Sequence, residues 1–145
     1  MKTEFLKVRL PADLQRLVTF DHHAFAKSDW FASGDWKEYT SYWMLVNNRR
    51  VGCCAFQPQG DSLYIASTAI LPEKQGIGFG QLLKAWQIAY ARSNGFKRIV
   101  IHTRKSNRAM IAVNRKFGFR VVRTVAGYYA DPVEPGVVME LRLKP

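Results

Sequence analysis

Three glycines at alternate positions follow an apolar run near the middle of the chain. The stretch QGIGFG covers residues 75–80, between SLYIASTAIL, which is typical of a strand, and QLLKAWQIAYARSN, which is typical of a helix. Glycine lets backbone N–H groups approach a ligand closely, and the start of a helix favours negative charge. The pattern therefore predicts a phosphate-binding loop.

The spacing of these glycines excludes two common nucleotide-binding motifs. A dinucleotide fingerprint needs G-x-G-x-x-G, whereas this chain has G-x-G-x-G, with Gln81 in the place of the third glycine. No Gly-Lys-Ser/Thr is present, so a P-loop NTPase is excluded as well. Taken alone, the stretch fits a simple strand-to-helix turn equally well.

The net charge of +11 is distributed unevenly along the chain. Between Lys74 and Ala130 there are twelve lysine and arginine residues and no aspartate or glutamate. Such a region carries a positive field, which fits a nucleic acid, a membrane surface or a polyphosphate ligand. The same field disfavours polycationic acceptors such as polyamines.

Composition indicates a packed globular protein without a metal centre. At 145 residues and 48% hydrophobic content, one domain over residues 1–145 is expected. Cys53 and Cys54 are adjacent in a strand-like run, so they point to opposite faces and fit reduced packing residues. The residues Asp-His-His at 21–23 have no matching ligand cluster. Without a signal-peptide core or a long apolar run, a cytoplasmic location is expected.

The remaining patterns predict the order β-α-(α)-β-β-β-α-β-α-β-β. A strand is expected over 4–10, a helix from Pro11 and a hairpin over 41–57, followed by the strand of SLYIASTAIL. The unit from 62 to 103 fits a crossover between parallel strands. The helix after the glycines is expected to bury Leu82, Trp86 and Ala89. A later helix starts at a cap on Ser106 or Asn107, and two strands, 119–126 and 137–143, flank the loop GYYADPVEP.

The motifs together resemble the GNAT acetyltransferase superfamily. Q-x-x-G-x-G is similar to its pyrophosphate loop, and TRKSNRAMIAVNRKFGF is similar to its R-x-S-N-x-x-A…GF segment. GYYADPVEPGVVMEL and HAFAKSDWFAS at 23–33 resemble segments of the ribosomal-protein alanine and N-terminal protein acetyltransferases. The resemblance implies a single-domain α/β fold, with a mostly antiparallel mixed sheet, a parallel pair of fourth and fifth strands, and flanking helices.

The resemblance also implies acetyl-CoA as cosubstrate. The backbone of Thr68, Ala69 and Ile70 is expected to pair with the pantetheine arm like an added strand. Asn107 matches an asparagine that contacts the cofactor, although a helix cap explains it equally well. By the same resemblance, residues 76–81 are expected to hold the pyrophosphate. The cofactor-binding loop as a whole comprises Gln75, Gly76, Ile77, Gly78, Phe79, Gly80 and Gln81.

Acetyl transfer to an amine requires a general base, and histidine is the natural candidate. His102 lies on the strand RIVIHTR and shares a face with Val100 and Arg104. The bacterial alanine acetyltransferases carry glutamate at the matching place, whereas some eukaryotic-type N-terminal acetyltransferases have histidine paired with a tyrosine. By this resemblance His102 is the predicted base, acting through water, and Tyr64 is its partner.

One departure from the family concerns the proton for the leaving thiolate. The superfamily often has a tyrosine where this chain has Asn114, and that tyrosine gives its proton to the thiolate. An asparagine amide cannot act as an acid, although it can donate a hydrogen bond to the sulfur. Tyr128, Tyr129 or solvent are the alternative acids. The resemblance also implies that the two tyrosines line the groove of an acceptor peptide.

The predicted function is direct transfer of acetyl from acetyl-CoA to a primary amine, most readily a protein or peptide N-terminus. An acetyltransferase of small amines is the main alternative, since this fold accepts many acceptors. A basic nucleic-acid-binding module and an inactive acyl-CoA sensor are further alternatives. No membrane, metal or specific nucleic-acid partner is expected, and the chain is expected to be a monomer or homodimer.

Overall fold

The structure, a computed structural model, describes residues 1–31 and 34–144. Ala32 and Ser33, which end the resemblance segment 23–33, and Pro145, which ends the predicted domain, lie outside this part. Short 3-10 helices cover Lys27–Asp29, Asp35–Glu38 and Pro72–Lys74. The strands and α-helices are β1 (Thr3–Lys7), α1 (Leu14–Ala24), β2 (Thr40–Val46), β3 (Arg49–Gln59), β4 (Ser62–Ile70), α2 (Phe79–Ser93), β5 (Arg98–Arg104), α3 (Arg108–Lys116), β6 (Arg120–Tyr129) and β7 (Glu134–Arg142).

The strand order is β1-β2-β3-β4-β5-β7-β6. β4 and β5 run parallel, whereas β1-β2, β2-β3, β5-β7 and β6-β7 pair antiparallel. A mixed sheet with this parallel pair agrees with the predicted fold class. The chain forms two compact units, of which the first contains residues 1–57 and 66–84 and the second contains 58–65 and the chain from Ala85 onward. The prediction of one domain over 1–145 stays a prediction.

The first unit packs α1 against the antiparallel strands β1, β2 and β3. Leu17 and Phe20 are buried, and the Phe20 ring meets Trp43 of β2 edge-on at 5.6 Å between centroids. Burial of such aromatic and aliphatic side chains is the main stabilising contribution to a core of this kind. The helix begins at Leu14 rather than at Pro11, so the predicted start is three residues early. Cys53 and Cys54 are buried free cysteines, and burial raises the pKa of the Cys53 thiol.

The second unit is built on β5, with the start of β4 on one side and β7 and β6 on the other. Tyr64 lies opposite Val100 in the parallel pair, and His102 lies opposite Val138 in the antiparallel pair. Along β5, residues 99, 101 and 103 are buried and alternate with half-buried ones. This period of two is what places His102 on the more open face of the sheet.

The predicted buried side of α2 is wrong by one position. Leu82 is 41% exposed and Ala89 is exposed, whereas Leu83 is fully buried. Lys84 and Gln87 are also buried, so polar residues occupy part of the inward stripe. Because these polar residues interrupt the apolar positions, the 3.6-residue period of the buried side cannot be recognised in the sequence. Among the described residues, no helix combines the length and apolar character needed to cross a membrane.

Candidate active site

The first unit presents a row of free backbone donors between β4 and α2. From Gly76 to Gln81, six consecutive N–H groups donate to no acceptor within residues 1–31 and 34–144. The next one, on Leu82, donates to the Gly78 carbonyl at 3.2 Å and begins the helical pattern. Free N–H groups and the positive end of a helix dipole together attract phosphate. This row fits the pyrophosphate of coenzyme A.

Two of the three loop glycines are required by the backbone conformation. Gly76 has φ +80° and Gly78 has φ +97°, in the left-handed region where a side chain is strained. No described atom lies within 4 Å of a Cβ built at either position, so the space above the loop is open. Gly80 lies inside the first turn of α2, where a Cβ would meet Ile70 at an ordinary 3.9 Å. Its conformation does not require glycine.

The end of β4 is held against the loop and against β3. Gln75, predicted to contact the cofactor, donates its Nε2 to the Ile70 carbonyl at 3.0 Å and so ties the loop to the strand. Gly52 of β3 allows a close approach here, since a Cβ on it would lie 2.8 Å from Ile70 Cδ1 and 3.1 Å from the Ala69 carbonyl oxygen. Thr68 and Ala69 precede this point on β4. The sequence did not indicate the role of Gly52.

The second unit brings the four predicted catalytic side chains together. The Tyr64 and His102 rings meet edge to face at 5.4 Å between centroids and 88° between planes. On the same imidazole, the Tyr128 ring lies nearly parallel at 4.8 Å and 8°. Tyr129 contacts the Tyr128 ring edge-on at 4.9 Å. The predicted base and its aromatic partners therefore form one cluster, the His102 cluster of Tyr64, His102, Tyr128 and Tyr129.

The surroundings of His102 favour its neutral form. Burial lowers the pKa of His102 below its ordinary value, and the positive charge of Arg123 lowers it further. Its Nδ1 is buried and has no hydrogen-bond partner in the part of the chain that the structure describes. Ring contacts therefore hold the imidazole, and a neutral imidazole can accept a proton at neutral pH.

Gly136 of β7 allows Tyr128 to lie flat over the sheet. A Cβ on Gly136 would lie 2.8–2.9 Å from Cδ1, Cβ and Cγ of Tyr128, closer than real contacts permit. Because the Tyr128 Cβ is among these atoms, a simple ring rotation does not relieve the clash. The sequence analysis placed 127–135 in a loop, whereas β6 continues to Tyr129 and β7 starts at Glu134.

Arg104 holds the turn between those two strands. Its guanidinium donates to the carbonyls of Ala130 and Pro132 at 2.8 and 3.0 Å. It also pairs with the Glu134 carboxylate at 3.0 Å and lies over the Tyr129 ring at 4.6 Å. Glu134 further accepts hydrogen bonds from Ser106 N and Oγ, and the Arg104 and Ser106 hydrogen bonds hold its pKa below the ordinary value. Both donors lie in the R-x-S-N segment, where the sequence analysis considered Ser106 only as a helix cap and assigned no role to Arg104.

The two predicted asparagines have different surroundings. Asn107 caps α3, with its side chain accepting a hydrogen bond from Met110 N at 3.2 Å, and it remains exposed. The predicted cap is thus confirmed. Asn114 is fully buried, and its Nδ2 donates to the Met139 sulfur at 3.8 Å. This core position does not favour the predicted hydrogen bond from Asn114 to the cofactor sulfur.

Comparison with known proteins relates this chain to acetyltransferases. A [ribosomal protein bS18]-alanine N-acetyltransferase of Haemophilus influenzae is 31% identical over 96 residues, which cover 66% of this chain and 65% of that protein. The chain thus spans slightly less than two thirds of that curated relative. The ribosomal-protein-S18-alanine N-acetyltransferase of Escherichia coli has the same fold, with a TM-score of 0.88, 20% identity and coverage of 99% of this chain and 96% of that one.

A second solved structure, the NatC complex bound to Gag peptide and CoA, matches with a TM-score of 0.83 and 14% identity, covering 99% of this chain and 100% of that one. Residues 11–119 match the acetyltransferase (GNAT) family. The family and the fold class that the sequence predicts are therefore confirmed. The chain belongs to the acetyltransferase (GNAT) family.

Proposed function

We propose that this protein transfers an acetyl group from acetyl-CoA to the α-amine at the N-terminus of a protein or peptide. The observation that carries the proposal is the row of six free N–H groups from Gly76 to Gln81 at the start of α2. Such a row is suited to a pyrophosphate, which coenzyme A carries. Membership in the GNAT family supports the same cosubstrate.

Three groups of residues would hold acetyl-CoA. The loop N–H groups of residues 76–81 receive the pyrophosphate, and the backbone of Thr68, Ala69 and Ile70 receives the pantetheine arm. Gln75 keeps the loop closed on the Ile70 carbonyl, and Asn107 adds an exposed amide beside its capping role. When bound, acetyl-CoA supplies the activated acetyl group.

The His102 cluster prepares the acceptor. His102, kept neutral by burial and by Arg123, accepts a proton from the acceptor ammonium directly or through water. Tyr64 meets the imidazole edge-on and positions it. Tyr128 and Tyr129 contribute aromatic surface for the first residues of the acceptor. Either hydroxyl also serves as a source of the proton that the departing thiolate needs.

An N-terminal amine is favoured over a small amine by two observations. The curated relative with 31% identity is named as an alanine N-acetyltransferase of ribosomal protein bS18, and the nitrogen of an alanine is an α-amine. Exposed Tyr128, at 45% exposure, offers a platform that suits an extended chain. The cytoplasmic location and the monomeric or dimeric state stay predictions.

The test compares free and blocked N-termini. The protein is incubated with acetyl-CoA and a library of peptides, each present with a free and with a formylated N-terminus, together with small amines. Mass spectrometry is expected to find acetyl groups on a subset of free α-amines and on none of the blocked partners. Transfer confined to small amines, or to lysine side chains of the blocked peptides, would contradict the proposal.

A further inference from the structure

The face of the second unit that carries His102 has an uneven distribution of charge. His102 lies opposite Val138 of β7, and Val138 lies opposite Arg123 of β6. Directly opposite residues of paired strands project from the same face of a sheet. Two residues further along β7, on the same face, Glu140 lies opposite Arg120 of β6. Both Arg120 and Arg123 are exposed.

The carboxylates of this face are already engaged by other arginines. Glu140 lies 3.7 Å from the Arg98 guanidinium and 3.9 Å from that of Arg142. Glu134 is bound by Arg104 at 3.0 Å. The carboxylates on β7 are thus neutralised before any acceptor arrives.

Arg120 and Arg123 differ from the other arginines of this face. Neither forms an ion pair with any carboxylate of the residues that the structure describes. Arg123 is close enough to His102 to influence it electrostatically. A lysine or arginine side chain of an acceptor bound near His102 would be repelled by both arginines. An acceptor carboxylate at the same place would be attracted to them.

We propose that Arg120 and Arg123 select acceptor N-termini that carry an acidic side chain within their first few residues. The inference rests on the proposed function and specifies its substrate class. The α-amine has to come near His102, the proposed base, and Arg123 lies in the same cross-strand row as His102. A carboxylate one or two residues after the amine is therefore within reach of the arginine pair.

The test uses three peptides that differ only at residues 2 and 3, which are aspartate, asparagine or lysine. The expected order of kcat/KM is aspartate, then asparagine, then lysine, with about fivefold per step, the worth of one exposed ion pair of about 1 kcal/mol. Raising the salt concentration is expected to compress the order. Equal rates for the three peptides, or a preference for lysine, would overturn the inference.

Charge-reversal variants test whether Arg120 and Arg123 are the residues that select acidic acceptors. Arg123→Glu and Arg120→Glu, made separately, are each expected to reduce or invert the preference for aspartate over lysine. The matched control is Arg92→Glu on α2, an exposed residue off the sheet, which changes net charge equally and is expected to keep the preference. Unchanged preference in both sheet variants would overturn the assignment. Acetylation of none of the three peptides would instead contradict the proposed function, which separates the two failures.

Discussion

The ring of Tyr128 lies flat on the imidazole of His102, with 4.8 Å between centroids and 8° between planes. The two residues come from different strands, and neither side chain forms a hydrogen bond with the residues that the structure describes. The arrangement depends instead on the glycine beneath Tyr128 and on the Arg104 contacts that fix the turn after Tyr129. Substitutions at this glycine or in this turn should therefore displace the Tyr128 ring and affect catalysis.

Gly136→Ala tests the support under Tyr128. The added methyl meets Tyr128 atoms at 2.8–2.9 Å, so the ring has to leave its position over His102. We expect kcat/KM to fall by about tenfold or more, because small misplacements near reacting groups are costly. Binding of coenzyme A, measured by calorimetry, should stay unchanged. Gly34→Ala, where no described atom outside its chain neighbours lies within 4 Å of the new Cβ, is the matched control; equal losses in both variants would contradict this role of Gly136.

His102→Gln tests the general base. Glutamine keeps a polar side chain but cannot accept the proton, so kcat is expected to fall by about 10²- to 10⁴-fold, with unchanged affinity for coenzyme A. The control His22→Gln replaces a histidine that stacks on Trp30, and it should keep full turnover. Turnover of the His102 variant within a factor of two of wild type would remove this residue from the mechanism.

The pH dependence of kcat tests the lowered pKa of His102. Since the neutral imidazole is the base, the rate falls when the pH drops below its pKa, and this limb should lie below about pH 6.5. Arg123→Gln removes the positive charge that lowers this pKa, so its limb should move to higher pH. A limb that does not move, measured with an uncharged acceptor peptide, would show that Arg123 does not influence the base.

Tyr128→Phe and Tyr129→Phe separate an acid role from a groove role. Phenylalanine preserves the ring contacts but removes the hydroxyl proton. If either tyrosine lines the groove, its variant should mainly raise the KM of the peptide; if it is the acid, kcat should fall. Tyr128→Ala, which also removes the stacking on His102, is expected to lower kcat in both cases. A wild-type rate for Tyr128→Ala would contradict the positioning role of the ring.

Gly78→Ala and Gly80→Ala form a matched pair in the loop. Gly78 has φ +97°, so alanine there distorts the loop at a cost of about 1–2 kcal/mol, and the Kd for coenzyme A should rise about tenfold or more. Gly80 has ordinary helical geometry and room for a methyl group, so its variant should bind within about twofold of wild type. Calorimetric titration gives both constants. Equal weakening in the two variants would mean that the backbone conformation is not the reason for glycine at 78.

Lys84→Met tests the buried cation of α2. Burial lowers the pKa of Lys84 to about 8, against about 10.4 in the unfolded chain, so the unfolded state binds more protons between these values. The free energy of unfolding therefore gains a contribution that rises with pH across this window. Urea unfolding should show wild type gaining stability relative to the variant from pH 8 to pH 10. The exposed Lys116→Met is the control, and a pH-independent difference for Lys84→Met would contradict this assignment.

Much of the fold and of the site could be predicted from short patterns. The glycine spacing located the loop, and the N-cap signal limited the start of α3 to Ser106 or Asn107. Alternation along RIVIHTR placed His102 on one face with Val100 and Arg104, which the structure shows to be the more open face. The order of the GNAT motifs gave the family. Each of these features depends on neighbours in sequence, so local chemistry is sufficient to recognise it.

The missed residues act through contacts between segments distant in sequence. Gly136 is needed because a ring eight residues earlier lies on it, and Arg104 stabilises a turn about 30 residues later. The buried face of α2 was wrong because Lys84 and Gln87 are buried polar residues. Propensity and period carry no information on such tertiary placement.

Binding of coenzyme A to the loop at residues 76–81 is the step on which the proposed reaction depends. Calorimetric titration with coenzyme A and with pantetheine, which lacks the pyrophosphate and the nucleotide, measures it directly. The account predicts saturable binding of coenzyme A and at least about tenfold weaker binding of pantetheine, since the free N–H groups and the helix start act on phosphate. No heat with coenzyme A, or equal affinity for the two compounds, would contradict it.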